Sequence, residues 1–321
     1  MVDELQGRVP AEFSPEVRQY VAAAQAEPTR FPVARAAAIL AMIGALGSTV
    51  AFSDVVWLCV LASFCLGLLL CTLDVMQHEA THRRLARSRA LNRVAGVLAT
   101  AVLVRNFSQY CAFHFAHHAH TCTEEDPEGD HVVRSKVQLL SIPIRTVVFW
   151  FRQWRDLAVV IVGGHVAYVT TRKQALDIRI DSAAAASVYV LFAVAASVYP
   201  VLLICWLGPL AVYILVGFPL QHLHEHYGIS VEYSGGLRSR PQSAVTRSLR
   251  VTSAVSWLLG YSNLHKVHHM FPSVPSHALP GLHRVVLEHD PWVDLNEPGM
   301  AAFVTQSWRN LPRTTSQMAG A

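Results

Sequence analysis

Residues 55–73, VVWLCVLASFCLGLLLCTL, contain no charged side chain, and a histidine follows them at position 78. A helix that crosses a lipid bilayer needs about 20 mainly apolar residues, which is about the length of this run. A buried core helix of a large soluble domain has a similar composition. The choice between these two interpretations therefore depends on the rest of the chain.

Two further apolar runs favour a membrane protein. The first, Ala36–Phe52, is shorter, and the second, Ser182–Leu220, has no charged residue and is long enough for two spans. Pro200 and the pair Gly208-Pro209 are the candidate breaks in the long run. Of the 321 residues, 52% are hydrophobic and 15% are charged, whereas soluble domains carry about 25% charged residues. The sequence therefore predicts an all-α integral membrane protein with about four transmembrane helices.

Positive charge is distributed unevenly around these runs. The connection Ser53-Asp54 between the first two spans has no Lys or Arg. The segments after the second and fourth spans are rich in arginine, including Arg83, Arg84, Arg87, Arg89, Arg93, Arg238, Arg240, Arg247 and Arg250. By the positive-inside rule, both termini and the long middle region are predicted to be cytoplasmic. Positive loops beside a membrane explain the net charge of +4 without a nucleic-acid partner.

The middle region contains an amphipathic stretch at residues 141–169. Its mixture of Arg, Trp, Phe and aliphatic residues is typical of a helix lying on the membrane surface. A short re-entrant segment is the alternative.

Histidines cluster at or just beyond the ends of the apolar runs. The clusters read HEATH at 78–82, HFAHHAH at 114–120, HLHEH at 222–226 and HKVHH at 265–269. Positions i, i+3 and i+4 lie on one face of a helix. We therefore expect shared faces for the following sets: His78 with His82; His114 with His117 and His118; His222 with His226; and His265 with His268 and His269. His120 and His224 fall outside these faces.

So many imidazoles in one place would repel one another if protonated and would lack hydrogen-bond partners if kept dry. Metal ions remove both problems, because each imidazole lone pair becomes a ligand. The number of histidines suits two ions, and imidazole suits Zn, Cu, Fe or Ni. By itself, HEATH is an ordinary surface helix turn, but the clusters together predict a dinuclear metal site.

The clusters resemble the three histidine boxes of the membrane fatty acid desaturase superfamily. The boxes are His78-Glu-Ala-Thr-His82, His114-Phe-Ala-His117-His118 and His265-Lys-Val-His268-His269. The segment HHAHTCTEEDPE is similar to the one at the family's second box, which continues as HHxxT and then DP. The segment NLHKVHHMFPSVPSHALPGLH is similar to the one that contains and follows the family's third box. The resemblance covers roughly residues 30–290.

This resemblance implies four spans with a cytoplasmic helical cap that holds two non-haem iron ions. It implies ligands from the three boxes and adds His226 from the segment EHYG, while His222 stands where some relatives have Asn. It also divides the chain into a cytoplasmic N-terminal segment (1–30), a desaturase-like membrane domain (31–290) and a cytoplasmic tail (291–321). Second-shell residues are drawn from Glu79, Asp126, Glu128, Asn263 and Glu225. An ordinary solvated role competes for each of them, and Asn263 and Glu225 are the preferred two.

The activity implied is O2-dependent desaturation of a lipid acyl chain. The first box has three intervening residues, a length commoner among relatives that act on lipid-bound acyl chains or carotenoids. No flavin, nicotinamide or haem-binding pattern is present in the sequence, so a separate ferredoxin or cytochrome b5, with its reductase, is the expected electron donor. The cytoplasmic arginines would dock such an acidic protein, or they serve only as topology signals and lipid contacts.

Two other functions compete with desaturation. A hydroxylase or ketolase of a lipid or carotenoid shares the first hydrogen abstraction and diverges afterwards. A membrane metal transporter would place its ligands near the middle of the bilayer, whereas these spans have almost no ionisable groups there.

Overall fold

The computed structural model describes residues 12–26, 30–123, 125–128, 135–222, 225–226, 242–295 and 297–311, with the backbone alone for residues 30–33. Over these ranges the regular structure is helical, with an isolated bridge between Arg250 and Gly299. In chain order the α-helices are α1 (Pro15–Ala26), α2 (Arg30–Phe52), α3 (Val56–Thr81), α4 (Arg89–Val102), α5 (Phe107–His120), α6 (Lys136–Leu140), α7 (Ile142–Ile161), α8 (Arg172–Val198), α9 (Val201–Val212), α10 (Phe218–His222), α11 (Gln242–Val245), α12 (Ser253–Leu258), α13 (His265–Met270), α14 (Leu279–His289) and α15 (Met300–Asn310).

The chain forms two compact units. The span unit comprises Thr29–Phe113 and Pro143–Leu220. The histidine unit comprises Met1–Pro28, His114–Ile142 and Gln221–Ala321.

Four helices in the described ranges are long and apolar enough to cross a membrane, which confirms the predicted number. They are Ala34–Phe52, Val56–Thr81, Arg172–Val198 and Val201–His222. Aliphatic side chains such as Val60, Leu191 and Ile204 remain more than 60% exposed, as expected for side chains that face lipid.

The third span begins earlier than the charge-free run indicates. Helix α8 starts at Arg172, ten residues before Ser182, because Thr171 and Gln174 form a capping box. The Thr171 side chain accepts a hydrogen bond from the backbone N–H of Gln174, and this satisfies a donor that helix starts leave unpaired. The first turns of α8 are therefore polar and helical.

The long run breaks at Pro200, as predicted, but the second candidate break does not occur. Pro209 lies inside α9, and the chain continues through a π-helical turn at Tyr213–Gly217 into α10. Gly67 of α3 lies against this region, since a Cβ atom there would sit 2.7 Å from the carbonyl oxygen of Pro209. Small residues allow such close approach between membrane helices.

Residues 142–161 of the predicted amphipathic stretch 141–169 form a helix, α7, which leaves Ile144, Val148 and Phe151 exposed. Its depth in the membrane stays a prediction.

Two ion pairs with buried carboxylates stabilise the span unit. Arg105 donates to Asp74 over 2.9 Å, and Arg93 donates to Asp181 over 2.7 Å. Asp181 also accepts from the backbone N–H of Ser108 at the start of α5. Partners of this kind are needed because an unpaired charge in a low-dielectric interior is costly.

The core of the histidine unit is built around the third box. Val267, in the middle of α13, packs with Val17 of α1 and Leu282 of α14, and all three are fully buried. Asp290 holds the N-terminal end of α1, because it accepts hydrogen bonds from the backbone N–H and the hydroxyl of Ser14 over 3.0 and 2.8 Å. The third box therefore sits on a packed, hydrogen-bonded support.

Candidate metal centre

The second and third boxes bring a first group of imidazoles together in the histidine unit. His114 and His118 are one turn apart on α5, and their Nε2 atoms lie 3.0 Å apart. The Nε2 atom of His268, from α13, lies 3.3 Å from that of His118. All three side chains are buried.

A second group takes the remaining histidines of the same two boxes. It contains His117, His226, His265 and His269, whose nearest ring nitrogens all lie within 4.8 Å of one another. The Nε2 atoms of His226 and His265 are 2.9 Å apart.

The three histidines of each of these two boxes are shared between the two groups. The expectation that all three lie on one helix face is therefore wrong. Neighbouring helical residues point about 100° apart. His117 and His118 therefore enter different groups, and so do His268 and His269. The H-H pair at the end of each box is what allows one short helix to serve two centres.

In the second group, three imidazoles are held by their Nδ1 atoms. His117 Nδ1 donates to Asp126 over 2.9 Å, and His226 Nδ1 donates to the carbonyl oxygen of Val245 over 2.9 Å. His269 Nδ1 donates to Oε1 of Gln242 over 3.1 Å. These bonds fix each ring so that Nε2 is directed into the group.

The Nε2 atoms of His117 and His269 are buried and have no hydrogen-bond partner among the described residues. Unsatisfied buried polar atoms are rare in proteins. A metal ion would satisfy both of them, and a histidine that binds a metal usually donates a hydrogen bond from its opposite ring nitrogen, as these rings do. The residues present therefore fit a metal ion.

Burial also sets the protonation of these rings. It lowers the pKa of His226 to about 4 and that of His269 well below the ordinary value, with the neighbouring imidazoles adding to the effect. Both rings are thus neutral, which is the ligating form. Burial opposes protonation of His117 too, but Asp126 and Glu128 outweigh it and raise its pKa to about 9. A metal cation at Nε2 would take the place of that proton.

Glu225 connects two of the predicted ligands. His222 Nδ1 donates to Oε2 of Glu225 over 2.6 Å, and His265 Nδ1 lies 3.5 Å from Oε1. Within the described residues, His222 lies outside the two nitrogen groups. Its direct ligation of a metal stays a prediction.

The sequence ranked Asn263 above Asp126 as a partner of the ligating imidazoles, and the structure reverses this order. Asp126, ranked below Asn263, is buried against His117. Asn263 instead donates to the carbonyl oxygen of Leu249 and accepts from the hydroxyl of Ser256. It therefore positions the turn that precedes the third box. Gln242 and the carbonyl of Val245 were missed, because neither an isolated Gln nor a backbone oxygen gives a sequence signal.

The first box lies in the span unit, at the end of α3. His82 is the C-cap residue of this helix, and its ring centroid lies 4.8 Å from that of His78. Asp74 precedes His78 by one turn on the same helix face and is fixed by Arg105. The expected pairing of His78 with His82 is therefore present.

Residues 55–296 match the fatty acid desaturase family. No curated protein matches the chain.

Proposed function

The chain belongs to the fatty acid desaturase family, and from this premise we propose that it is an O2-dependent, membrane-bound di-iron oxidoreductase. The proposed reaction is the introduction of a C=C bond into the acyl chain of a lipid. The observation that carries the proposal is the pair of imidazole groups built from the second and third boxes, with anchored Nδ1 atoms in the second group.

The proposed ligands are the histidines of the three boxes and of the segment before the third. His78 and His82 enter through the sequence pattern of the first box. The ligand set is His78, His82, His114, His117, His118, His226, His265, His268 and His269, and the further candidate named from the sequence is His222, which contacts Glu225. Two iron ions held there would supply the O2 activation that removal of hydrogen from an unactivated methylene requires.

The side chains around the ligands orient them and keep water away. Asp126, Gln242 and the carbonyl of Val245 hold three rings through Nδ1, and Glu225 contacts two more. His117 and His226 are almost fully buried. A dry, pre-oriented site favours oxidation of the substrate over side reactions with water.

The proposal requires partners that the chain does not contain. Electrons would come from a ferredoxin or a cytochrome b5 with its reductase, and the substrate would come from the surrounding lipids. We propose cytoplasmic termini and histidine boxes, as the distribution of arginine indicates.

Lipid analysis of cells with and without the gene tests the reaction. A lipid lacking two hydrogens, formed only with O2, is the expected product. An added oxygen atom would instead indicate a hydroxylase, and an oxygen in place of two hydrogens would indicate a ketolase. His268→Ala should abolish the product, whereas His120→Ala, whose ring pairs with Glu125 outside both groups, should retain it. Activity that survives in iron-free protein would overturn the proposal.

A further inference from the structure

The histidine unit has a polar cavity that the proposed metal ligands do not line. It has a volume of about 840 Å³ and lies beside α11, α13 and the start of α15. Sites for small molecules usually have volumes of about 300–1,000 Å³. Its charged and aromatic lining residues are Arg247, Arg250, Lys266, Trp292, Asp294 and Glu297.

Two of the three cations are held in place by the fold. Lys266, inside the third box, is only 8% exposed, and its Nζ donates to the carbonyl oxygen of Asp294 over 2.6 Å. The guanidinium carbon of Arg247 lies 4.9 Å from the ring centroid of Phe303, within the range of a cation–π contact. Arg250 is exposed, and its backbone N–H donates to the carbonyl oxygen of Pro298 over 3.0 Å.

The charges of the cavity do not cancel. Two carboxylates, Asp294 and Glu297, face the three cations. Burial raises the pKa of Glu297 to about 7, although a hydrogen bond from Ser248 and the charges of Lys266 and Arg250 act in the opposite direction. Glu297 is therefore only partly ionised at neutral pH, and the cavity remains positive.

We propose that this cavity binds a phosphate-bearing ligand, with the phosphoryl oxygens held by Arg247, Arg250 and Lys266. The guanidinium fork matches two phosphate oxygens at once, and the ammonium adds a point charge. Trp292 offers an apolar surface to the group that carries the phosphate. A concave cavity of this size suits a small group better than the acidic surface of a partner protein. The inference goes beyond the proposed function, because it concerns binding and needs no turnover.

Equilibrium dialysis of the full-length protein in phosphate-free dodecyl maltoside micelles tests this site, with glycerol 3-phosphate as the probe and glycerol as the uncharged control. We expect saturable binding of glycerol 3-phosphate and none of glycerol. Arg250→Ala should weaken binding about tenfold, as the loss of one charge-assisted hydrogen bond predicts. Arg284→Ala, which removes an exposed arginine of α14 outside the cavity, should leave binding unchanged.

A second variant protects the test from folding artefacts. Glu297→Gln keeps the shape of the side chain and removes the negative charge, so it should tighten binding at pH 7.5. A gain in affinity cannot result from partial unfolding.

Two arms distinguish the sources of the phosphate. If the ligand is a lipid headgroup, phosphatidylglycerol added to the micelles should compete with glycerol 3-phosphate. If it is a soluble phosphate compound, the lipid should have no effect, and either result supports a phosphate site. Absence of saturable binding, or equal binding by the Arg250 and Arg284 variants, would overturn the proposal. Arg250-dependent binding of polyglutamate without binding of phosphate would also overturn it and would assign the surface to an acidic protein.

Discussion

His117 and Asp126 are joined by a hydrogen bond of 2.9 Å between Nδ1 and Oδ1, and both side chains are almost completely buried. The Asp126 carboxylate also accepts from the backbone N–H groups of Cys122 and Glu128. The loop after the second box thus folds back to fix the ring that enters the second imidazole group.

Asp126→Asn should weaken iron retention about 10- to 100-fold, the usual effect of removing the hydrogen-bond partner of a ligating histidine. The amide keeps the shape of the side chain but loses the charge that supports His117. Iron content after dialysis against a chelator measures the change. Glu125→Gln is the matched control, because Glu125 pairs with His120 outside both groups and is exposed. Equal retention by the two variants would contradict the role given to Asp126.

The division of the third box predicts that neighbouring histidines serve different ions. His268→Ala should weaken iron binding at the first group, and His269→Ala should weaken iron binding at the second, because their rings enter separate groups. Metal analysis and Mössbauer spectroscopy of each variant should show one ion retained, with different spectra. Identical spectra from the two variants would show that the groups do not act as separate sites.

His222 and His226 should differ in their effect on iron binding. His222 contacts Glu225 outside the two groups, whereas His226 lies in the second group. His222→Asn should lower iron affinity about tenfold, as for an outer-shell change, while His226→Ala should remove one ion. Titration of the metal-free protein with Fe(II) measures both. A loss as severe in His222→Asn as in His226→Ala would identify His222 as a direct ligand.

Gly67→Ala should destabilise the span unit by about 1–3 kcal/mol, the usual cost of overpacking. The new Cβ would lie 2.5 Å from Cβ of Val212 and 2.7 Å from the oxygen of Pro209. Thermal unfolding in detergent, followed by size-exclusion chromatography, reports the change. Gly44→Ala in α2 is the control, since a Cβ there meets no atom within 4 Å. Equal melting temperatures would show that α3 and α9 adjust without cost.

The raised pKa of Glu297 predicts that the stability of the folded protein depends on pH. Burial raises its pKa from the ordinary 4.5 to about 7, against the opposing effects of Ser248, Lys266 and Arg250, and His283 Nδ1 lies 3.4 Å away. Because the folded state disfavours the ionised form, stability should fall as the pH rises from about 4.5 to about 7 and then level off. Glu297→Gln should therefore melt at a higher temperature than the unchanged protein at pH 8 and at the same temperature near pH 4.5.

Glu288→Gln, which alters an exposed carboxylate of α14, should show no such difference. A wild-type melting temperature independent of pH between these limits would contradict the shifted pKa.

Much of the site was predictable because its signals are local. Box histidines recur at helical spacing, and apolar runs of membrane length adjoin them, so the spans and the proposed ligands could be named from the sequence. The sequence placed the start of α8 too late, because a run defined by the absence of charge leaves out the polar first turns of a helix. The Thr171–Gln174 capping box stabilises those turns. Pro209 was misread as a break because a membrane helix can pass through proline when its neighbours pack closely.

The sequence by itself determined the helical class, the four spans, the histidine boxes and the family, since each depends on residue type and spacing along the chain. Only the tertiary structure decided how the second and third boxes divide between two groups, which oxygens hold Nδ1, and where Arg247, Arg250 and Lys266 line one cavity. These relationships join residues distant in the chain, and packing brings them together in ways that no local pattern records.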